Sequence, residues 1–135
     1  MRYETGAAVG ADQLIDLYRA CSLGARRPVD DRATVELMLA HANLLVTAWD
    51  GGLLVGAART LTDFGYVAYL ADLAVRESHQ RRGIGRELVR RTRDALAPRA
   101  TLVLLAAPAA EEYYPLLGFQ RHPSAWILGP GDRLR

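Results

Sequence analysis

The sequence contains no lysine, since all 17 of its basic residues are arginine. This absence excludes the sites that depend on a lysine, namely a P-loop, a Schiff base and a catalytic lysine. Cys21 is the single cysteine and cannot form an internal disulfide. No apolar run approaches the roughly 20 residues that cross a bilayer, and the opening MRYETGAAVG lacks the apolar core of a secretory signal. We therefore expect no membrane association and a cytoplasmic location.

The chain has 135 residues and a formal net charge of +2. This length predicts a single domain over residues 1–135. The small charge is spread over both termini and several helices, so it gives no reason to predict nucleic-acid binding. The three histidines, His41, His79 and His122, have no spacing typical of a metal site, and Cys21 has no histidine at a telling distance. No metal is expected.

Helical periodicity dominates the first third of the chain. Apolar residues predict a helix from Ala11 to about Cys21, and Asp31 is predicted to cap a second helix that reaches about Ala42. The period then changes to two, because NLLVTAWD and LLVGAARTL, joined by a Gly-Gly pair, predict a hairpin. A third strand, Tyr66–Val75, is almost wholly apolar, which is typical of a central strand covered on both faces.

The second half of the chain alternates helices and strands. A helix is predicted from Ile84 to about Ala97, a buried strand over Thr101–Ala107, and a short helix over Ala109–Leu117 that Gly118 ends. The segment FQRHPSAWIL supplies the last strand. The order is strand, two helices, three strands, helix, strand, helix, strand. It predicts an α/β (α+β) fold with a mixed sheet and helices on both faces.

The stretch HQRRGIGRELV, residues 79–89, joins the apolar strand to the following helix. Gly83 and Gly85 let backbone N–H groups converge at the positive end of the helix dipole, an arrangement that attracts phosphate. Three arginines add charge, and Gln80 adds a side-chain donor. The expected ligand therefore carries a pyrophosphate.

This stretch has three other interpretations. A Rossmann fingerprint needs a third glycine where Leu88 stands, and a P-loop needs a lysine. The remaining alternative is a solvated, arginine-rich helix start whose glycines serve only the turn.

The same stretch resembles the Q/R-x-x-G-x-G/A acetyl-CoA motif of the GCN5-related N-acetyltransferases, with Gln80, Gly83 and Gly85 at the defining positions. Upstream, LADLAV resembles the family's fourth strand. Downstream, EEYYPLLGF is similar to its F-Y-x-x-x-G-F, with Tyr113 in place of phenylalanine. The resemblance implies a mostly antiparallel central sheet of six to seven strands with about four helices. It also implies an N-acetyltransferase with acetyl-CoA as cosubstrate. The short tail after Phe119 departs from the family pattern, so the final hairpin is expected to be abbreviated.

The resemblance also implies where the cofactor binds. In this family the fourth and fifth strands splay apart, and the pantetheine arm of the cofactor inserts between them. The amides of Leu73 and Val75 are thereby assigned to the cofactor arm and acetyl group, and residues 80–86 to the pyrophosphate. The full set of implied cofactor-binding residues is Leu73, Ala74, Val75, Gln80, Arg81, Arg82, Gly83, Ile84, Gly85 and Arg86.

The implied reaction is direct attack of a neutral amine on the thioester, through a tetrahedral oxyanion that an amide of the fourth strand stabilises. The family motif places the acid that protonates the leaving thiolate at Tyr114. A phenol with a pKa of about 10 is protonated at neutral pH and can donate. The alternative for Tyr114 and its neighbour Tyr113 is packing of an aromatic pair.

Asp72 is unexpected in the most apolar strand of the chain, because aspartate is disfavoured in strands and costly to bury. One interpretation is a catalytic general base that takes the proton of the incoming ammonium, with a pKa raised by partial burial. The other is a structural carboxylate paired with Arg59 on the neighbouring strand. The sequence leaves both open.

The acceptor is left open between a small-molecule amine and a peptide amine. Four acidic residues, Asp30, Asp31, Asp63 and Asp72, could recruit a cationic amine. Two further functions stay open: a non-catalytic acyl-CoA-binding sensor module, and a toxin that acetylates aminoacyl-tRNA through the arginines of RELVRRTRD. Homodimers are frequent among the proteins that this sequence resembles, and a shortened tail would leave an edge strand for a second copy to cover.

Overall fold

Five strands and three α-helices make up Met1–Leu105 of the computed structural model, which describes all 135 residues. In chain order these elements are β1 (Arg2–Thr5), α1 (Ala11–Arg19), α2 (Arg32–His41), β2 (Leu44–Asp50), β3 (Leu53–Thr62), β4 (Val67–Val75), α3 (Ile84–Asp94) and β5 (Thr101–Val103). Short 3₁₀ turns precede α2 at Ser22–Ala25 and α3 at Glu77–His79. Residue contacts separate this N-terminal unit from a C-terminal unit, Ala106–Arg135. The prediction of one domain over residues 1–135 stays a prediction.

The strands form one sheet in the order β1-β2-β3-β4-β5. The first four strands are antiparallel to their neighbours, and β5 pairs with β4 in parallel. The predicted hairpin between β2 and β3 is confirmed, and Gly51 turns the chain there with a φ of +57° that favours glycine. A mixed, mostly antiparallel sheet confirms the predicted fold class.

Helices lie on both faces of the sheet, as predicted. The helix α1 buries Leu17 and Tyr18 completely, in a core cluster that includes Ala57 of β3. The neighbouring Gly56 lies under α3, because a Cβ built on it would stand 3.0 Å from Leu88 Cδ1. Adjacent residues of a strand point to opposite faces, so α1 and α3 cover opposite sides of β3.

The sheet has five strands rather than the six to seven that were expected. The strand β5 ends at Val103 instead of Ala107, and FQRHPSAWIL forms no strand. That segment contains Pro123, which cannot donate to a ladder. Trp126 in the same segment is 93% exposed, so it buries none of the apolar surface that would hold a further strand in place.

The C-terminal unit contains one short helix, α4 (Tyr113–Leu116), after a 3₁₀ turn at Pro108–Ala110. The predicted continuous helix over Ala109–Leu117 is therefore wrong in extent. Pro115 has no N–H to bond the carbonyl four residues earlier, so a regular helix cannot run through this segment. Gly118 ends the helix as predicted, with a φ of +98°.

Candidate active site

One edge of β4 is paired with β5 over only part of its length. The two strands pair from Val67 with Thr101 to Tyr69 with Val103, and β5 then ends. The strand β4 continues to Val75 with β3 on its other side. We call the edge of β4 from Leu70 to Val75 the open edge. It is the parting of the fourth and fifth strands that the sequence resemblance implied.

The amides of Leu73 and Val75 face this open edge. Arg76 N–H donates to the Val55 carbonyl of β3 at 2.8 Å, so the backbone groups of Val75, one residue earlier, point away from β3. The Gln80 side chain confirms this direction, since its Nε2 donates to the Val75 carbonyl at 2.9 Å. Leu73 has the same orientation because it lies two residues before Val75 in the same ladder.

Ala74 has the opposite orientation to these two residues. It is register partner of Ala57, so its backbone groups face β3, and its side chain is 1% exposed in the core. Ala74 therefore presents neither an amide nor a side chain to the open edge, and its cofactor contact stays a prediction that this geometry does not support.

The segment that follows β4 is held firmly to its surroundings. Arg76 bonds the Leu54 carbonyl through Nε (3.2 Å) and Nη2 (3.0 Å), and its Nη2 also lies 2.7 Å from Asp16 Oδ2. His79 Nε2 lies 2.9 Å from Asp50 Oδ2 at the β2–β3 hairpin. The Gln80 side chain, expected to donate to phosphate, instead caps the end of β4. Gln80 thus positions the following turn.

We call residues 80–86 the phosphate turn. Gly83 turns the chain there, whereas Gly85 lies inside α3. Gly83 has a φ of +80° and Arg81 a φ of +64°, which is uncommon for a residue with a side chain. The first bond within α3 runs from Glu87 N–H to the Gly83 carbonyl at 3.1 Å. The amides of Ile84, Gly85 and Arg86 are thus among the first N–H groups of α3, which have no hydrogen-bond acceptor within the helix.

Charge around the turn is unevenly compensated. Arg81, Arg82 and Arg86 are exposed and form no ion pair, so they are available to an anion at the turn. Arg90 and Arg91, further along α3, both bond Glu87, and these bonds lower the pKa of Glu87 to about 2. Positive charge is therefore concentrated at the beginning of α3.

Asp72 lies in a buried cluster beside the open edge. Its side chain is 0% exposed, and it accepts from Arg59 Nε at 2.5 Å, from Arg27 Nε at 2.5 Å and from the Tyr18 hydroxyl at 2.6 Å. Arg27 also donates through Nη2 to the Ala71 carbonyl at 3.0 Å. We call Tyr18, Arg27, Arg59 and Asp72 the aspartate cluster. It joins α1, the loop before α2, β3 and β4.

The expected rise in the pKa of Asp72 is wrong. Burial alone would raise the pKa of this carboxyl, but the hydrogen bonds and charge of Arg59, together with bonds from Tyr18 and Arg27, lower it. Burial and the nearby carboxylate raise the pKa of Tyr18 well above its usual value, so the phenol is neutral. The predicted pairing of Asp72 with Arg59 is confirmed, and this geometry favours a structural carboxylate. The role of general base stays a prediction that the geometry does not support.

The three other acidic residues proposed to recruit a cationic amine are also engaged. Asp30 pairs with Arg19 at 2.7 Å. Asp31 caps α2 as predicted, accepting from the Thr34 amide at 3.1 Å. Asp63 accepts from three successive backbone amides, those of residues 65, 66 and 67, at 2.7–3.1 Å. Each carboxylate thus has a local structural role.

Tyr114 belongs to the C-terminal unit, where it is partly buried in α4. Its ring packs edge to face on Tyr113, with centroids 5.4 Å apart, and on Phe119 at 5.5 Å. Burial raises the pKa of Tyr113. The aromatic packing considered from the sequence is present, and the role of Tyr114 as acid stays a prediction.

Sequence analysis missed Tyr18 and Arg27 as partners of Asp72. They lie 54 and 45 residues away along the chain, and no local pattern links them. The only sequence signal was the improbable aspartate itself, which required a partner from elsewhere. No group of three or more histidine, cysteine or acidic residues is arranged to hold a metal ion, and no helix is long and apolar enough to cross a membrane.

The family model and the solved structures that this chain resembles agree on one family. A model of the Acetyltransferase (GNAT) family matches residues 11–119. A solved protein of unknown function from methicillin-resistant Staphylococcus aureus is 21% identical with a TM-score of 0.76, over 95% of this chain and 98% of that chain. A GNAT-family acetyltransferase from Streptococcus pneumoniae is 24% identical with a TM-score of 0.72, over 94% and 97%. An aminoglycoside 6'-N-acetyltransferase complexed with coenzyme A is 22% identical with a TM-score of 0.70, over 87% and 84%. No curated protein matches the sequence.

Proposed function

Because this chain belongs to the GNAT acetyltransferase family, we propose that it moves the acetyl group of acetyl-CoA to a primary amine of a small molecule or peptide. The observation that carries the proposal is the open edge of β4, which leads directly into the phosphate turn. A thioester of coenzyme A has a polar, extended arm and a pyrophosphate. These two parts match an edge of free amides and a turn of converging amides with unpaired arginines.

The turn binds the pyrophosphate in this proposal. The amides of residues 83–86 point outward at the start of α3, the helix dipole favours an anion there, and Arg81, Arg82 and Arg86 supply charge. Ile84 and Gly85 are buried, so they hold the first turn of α3 against the sheet while their amides remain at its end. Gln80 keeps the turn in place through Val75.

The amides of Leu73 and Val75 bind the arm and the reacting carbonyl. As a neutral amine attacks the thioester, negative charge develops on the carbonyl oxygen, and an amide fixed in a strand stabilises it without reorganising. The same amides are costly to leave unbonded, so a ligand that pairs with them gains affinity. The hydroxyl of Tyr114 is the proposed donor to the departing thiolate, and the amine nitrogen loses its proton to water.

Two other functions make different demands on the same residues. A sensor module would use the open edge and the turn but would release no thiol. A toxin acting on aminoacyl-tRNA would need a phosphate-binding arginine face on α3. Arg90 and Arg91 are already bonded to Glu87, and Arg90 also to Asp94 at 2.6 Å. Of the four arginines of α3, only Arg86 and Arg93 remain unpaired, and this small number favours acetyl transfer to a smaller acceptor.

Thermal unfolding with and without ligand tests the proposal. A saturating ligand at about 100 times its Kd stabilises the folded state by about 2.7 kcal/mol. We expect acetyl-CoA and CoA to raise the melting temperature, whereas NAD and ATP leave it unchanged. Gly83→Asp should abolish the rise, because it adds negative charge and a side chain at a φ of +80°.

Gly6→Asp is the matched control for backbone strain. Gly6 has a φ of +81°, and, as at Gly83, nothing lies within 4 Å of a Cβ built there. Both variants should lose intrinsic stability, but only Gly83→Asp should lose the response to CoA. An unchanged melting temperature of the wild type with saturating CoA would overturn the proposal.

A second experiment separates the enzyme from the sensor. Thiol release from acetyl-CoA is followed across a panel of primary amines for the wild type, Tyr114→Phe and Tyr113→Phe. We expect Tyr114→Phe to lower kcat while the CoA-dependent rise in melting temperature persists, and Tyr113→Phe to retain activity. Full CoA binding without thiol release for any amine would favour the sensor.

A further inference from the structure

The aspartate cluster carries an excess positive charge beside the open edge. Two guanidinium groups, Arg27 and Arg59, face the single carboxylate of Asp72, and Tyr18 is neutral. The excess is not fully buried. The side chain of Arg27 is 23% exposed, compared with 11% for Arg59 and 0% for Asp72. The accessible part of this charge is therefore the guanidinium of Arg27.

Arg27 is fixed at one end of the open edge. Its Nη2 donates to the Ala71 carbonyl at 3.0 Å, its Nη1 to the Arg26 carbonyl at 3.0 Å and its Nε to Asp72. Each Nη nitrogen carries a second N–H beyond these bonds. The neighbouring Arg26 is exposed and forms no ion pair, so it adds to the positive potential of the loop.

The order of groups along β4 indicates where the Arg27 guanidinium lies relative to the acetyl group of the cofactor. In the proposed function the cofactor enters at the phosphate turn and runs past Val75 to Leu73. Ala71 lies two residues beyond Leu73, about 7 Å along an extended strand. A register shift between β3 and β4 leaves Ala71 without a partner on β3, and its carbonyl accepts from Arg27. Arg27 thus lies beyond the reacting end of the cofactor, on the side from which an acceptor must approach.

Within the N-terminal unit, every acidic residue except Asp31, Asp63 and Glu77 is in an ion pair. Asp30 is paired with Arg19, whereas Asp31 caps α2 and Asp63 accepts from a backbone turn without an ion pair. Glu77 forms no ion pair, but it lies after β4, toward the phosphate turn. The excess guanidinium charge of the aspartate cluster directly adjoins the edge carbonyl of Ala71, and it disfavours a polycation there.

We propose that the acceptor is a primary amine that also carries an anionic group, a carboxylate or a phosphate, which Arg27 binds. The inference rests on the proposed function and names its substrate class. The excess guanidinium charge pairs with the anionic group and orients the amine toward the acetyl group. A polycationic amine, such as an aminoglycoside or a polyamine, is disfavoured at the same place. Arg27 determines specificity and is not itself required for the chemistry.

Paired substrates test this directly. Thiol release from acetyl-CoA is measured for glycine, β-alanine and γ-aminobutyrate against their carboxamides, and for phosphoethanolamine against ethanolamine. The best anionic substrate should exceed its neutral partner by roughly 10- to 100-fold in kcat/KM, as expected for a charge-assisted bond. The series that gives the larger ratio identifies carboxylate or phosphate as the anion. Spermidine and an aminoglycoside should be poor substrates.

Variants at Arg27 connect the preference to this side chain. Arg27→Gln should bring the ratio for the best pair close to one, mainly through KM of the anionic substrate, and Arg27→Lys should retain part of it. Arg93→Gln removes an exposed arginine of α3 that forms no ion pair and should leave the ratio unchanged. Both substrates of a pair are measured on the same preparation, so the ratio does not depend on the fraction of protein that is folded.

The outcomes separate this inference from the proposed function. Equal or better use of the neutral partners or of spermidine would overturn the inference. So would CoA binding without transfer to any anionic amine, which leaves the binding part of the proposed function intact. An unchanged ratio in Arg27→Gln would also overturn it. Failure of CoA to stabilise the wild type would overturn the proposed function, and the inference with it.

Discussion

Replacement of Asp72 by asparagine gives the sharpest test of how this site is built. Asp72→Asn keeps the size of the side chain but removes the charge that faces Arg59 and Arg27. It also places an N–H₂ group where one carboxylate oxygen accepted hydrogen bonds. The buried arginines are then left without a counter-charge in the centre of the N-terminal unit.

The structure sets the expected size of the effect. Removal of one partner from a buried ion pair costs about 3–5 kcal/mol, because the remaining charge is buried without compensation. We expect the free energy of unfolding to fall by that amount at pH 7. The loss is a large part of the roughly 5–15 kcal/mol available to a domain of ordinary stability. Asp30→Asn is the matched control, because it removes an exposed carboxylate whose side chain is 94% exposed, and it should have little effect.

The pH dependence follows from the lowered pKa of Asp72. A carboxyl whose pKa is lower in the folded state contributes its stability in full above its unfolded pKa of about 3.9. That contribution is lost as the pH falls through the lower, folded value. The difference between wild type and Asp72→Asn should therefore be constant from about pH 5 to neutral pH and shrink below about pH 4.

Denaturant unfolding at pH 7 and at several acidic pH values measures this difference, with thiol release measured in parallel. The result that would refute the reasoning is an Asp72→Asn variant within about 1 kcal/mol of the wild type that binds CoA normally and has lost acetyl transfer. That result would establish Asp72 as the general base despite its ion pairs.

Three further substitutions test the packing around the site by the same unfolding measurement. Tyr18→Phe removes the hydroxyl that donates to Asp72 at 2.6 Å and should cost roughly 1–3 kcal/mol; an unchanged stability would contradict a bond to the charged form. Thr60→Val should stabilise the protein by about 1 kcal/mol, because the buried Thr60 hydroxyl has no hydrogen-bond partner and valine has nearly the same shape. Gly24→Ala should be destabilising, since its Cβ would lie 2.8 Å from the Tyr18 carbonyl oxygen. Gly52→Ala, with nothing within 4 Å, should be tolerated.

Local signals in the sequence predicted the elements that depend on local physics. The Gly-Gly pair predicted the hairpin, Asp31 predicted the start of α2, and the glycines of residues 80–86 predicted a turn. In each case the determining interaction lies within a few residues. Short-range chemistry of this kind can be inferred from a sequence without knowledge of the fold.

The predictions that failed depend on distant partners. The run TLVLLAA predicted a strand to Ala107, but a strand extends only as far as its neighbour pairs with it, and pairing stops at Val103. Asp72 was expected to have a raised pKa because its burial was visible in the sequence, whereas the contributions of Arg27 and Tyr18 were not. Burial follows from local hydrophobicity, but the compensating charges come from long-range contacts.

Two of the failed predictions, the extent of β5 and the pKa of Asp72, concern β4 and its neighbour, and the left-handed backbone of Arg81 lies in the turn after β4. An early end to β5 leaves the amides of Leu73 and Val75 on an unpaired edge. An aspartate in an apolar strand costs energy unless two arginines are brought to it, and one of them also bonds the edge carbonyl of Ala71. Arg81 adopts a left-handed backbone where glycine would be favoured. Natural sequences depart from local rules mainly where function requires it. Three departures along one strand and the turn that follows it are therefore an independent reason to locate the chemistry there.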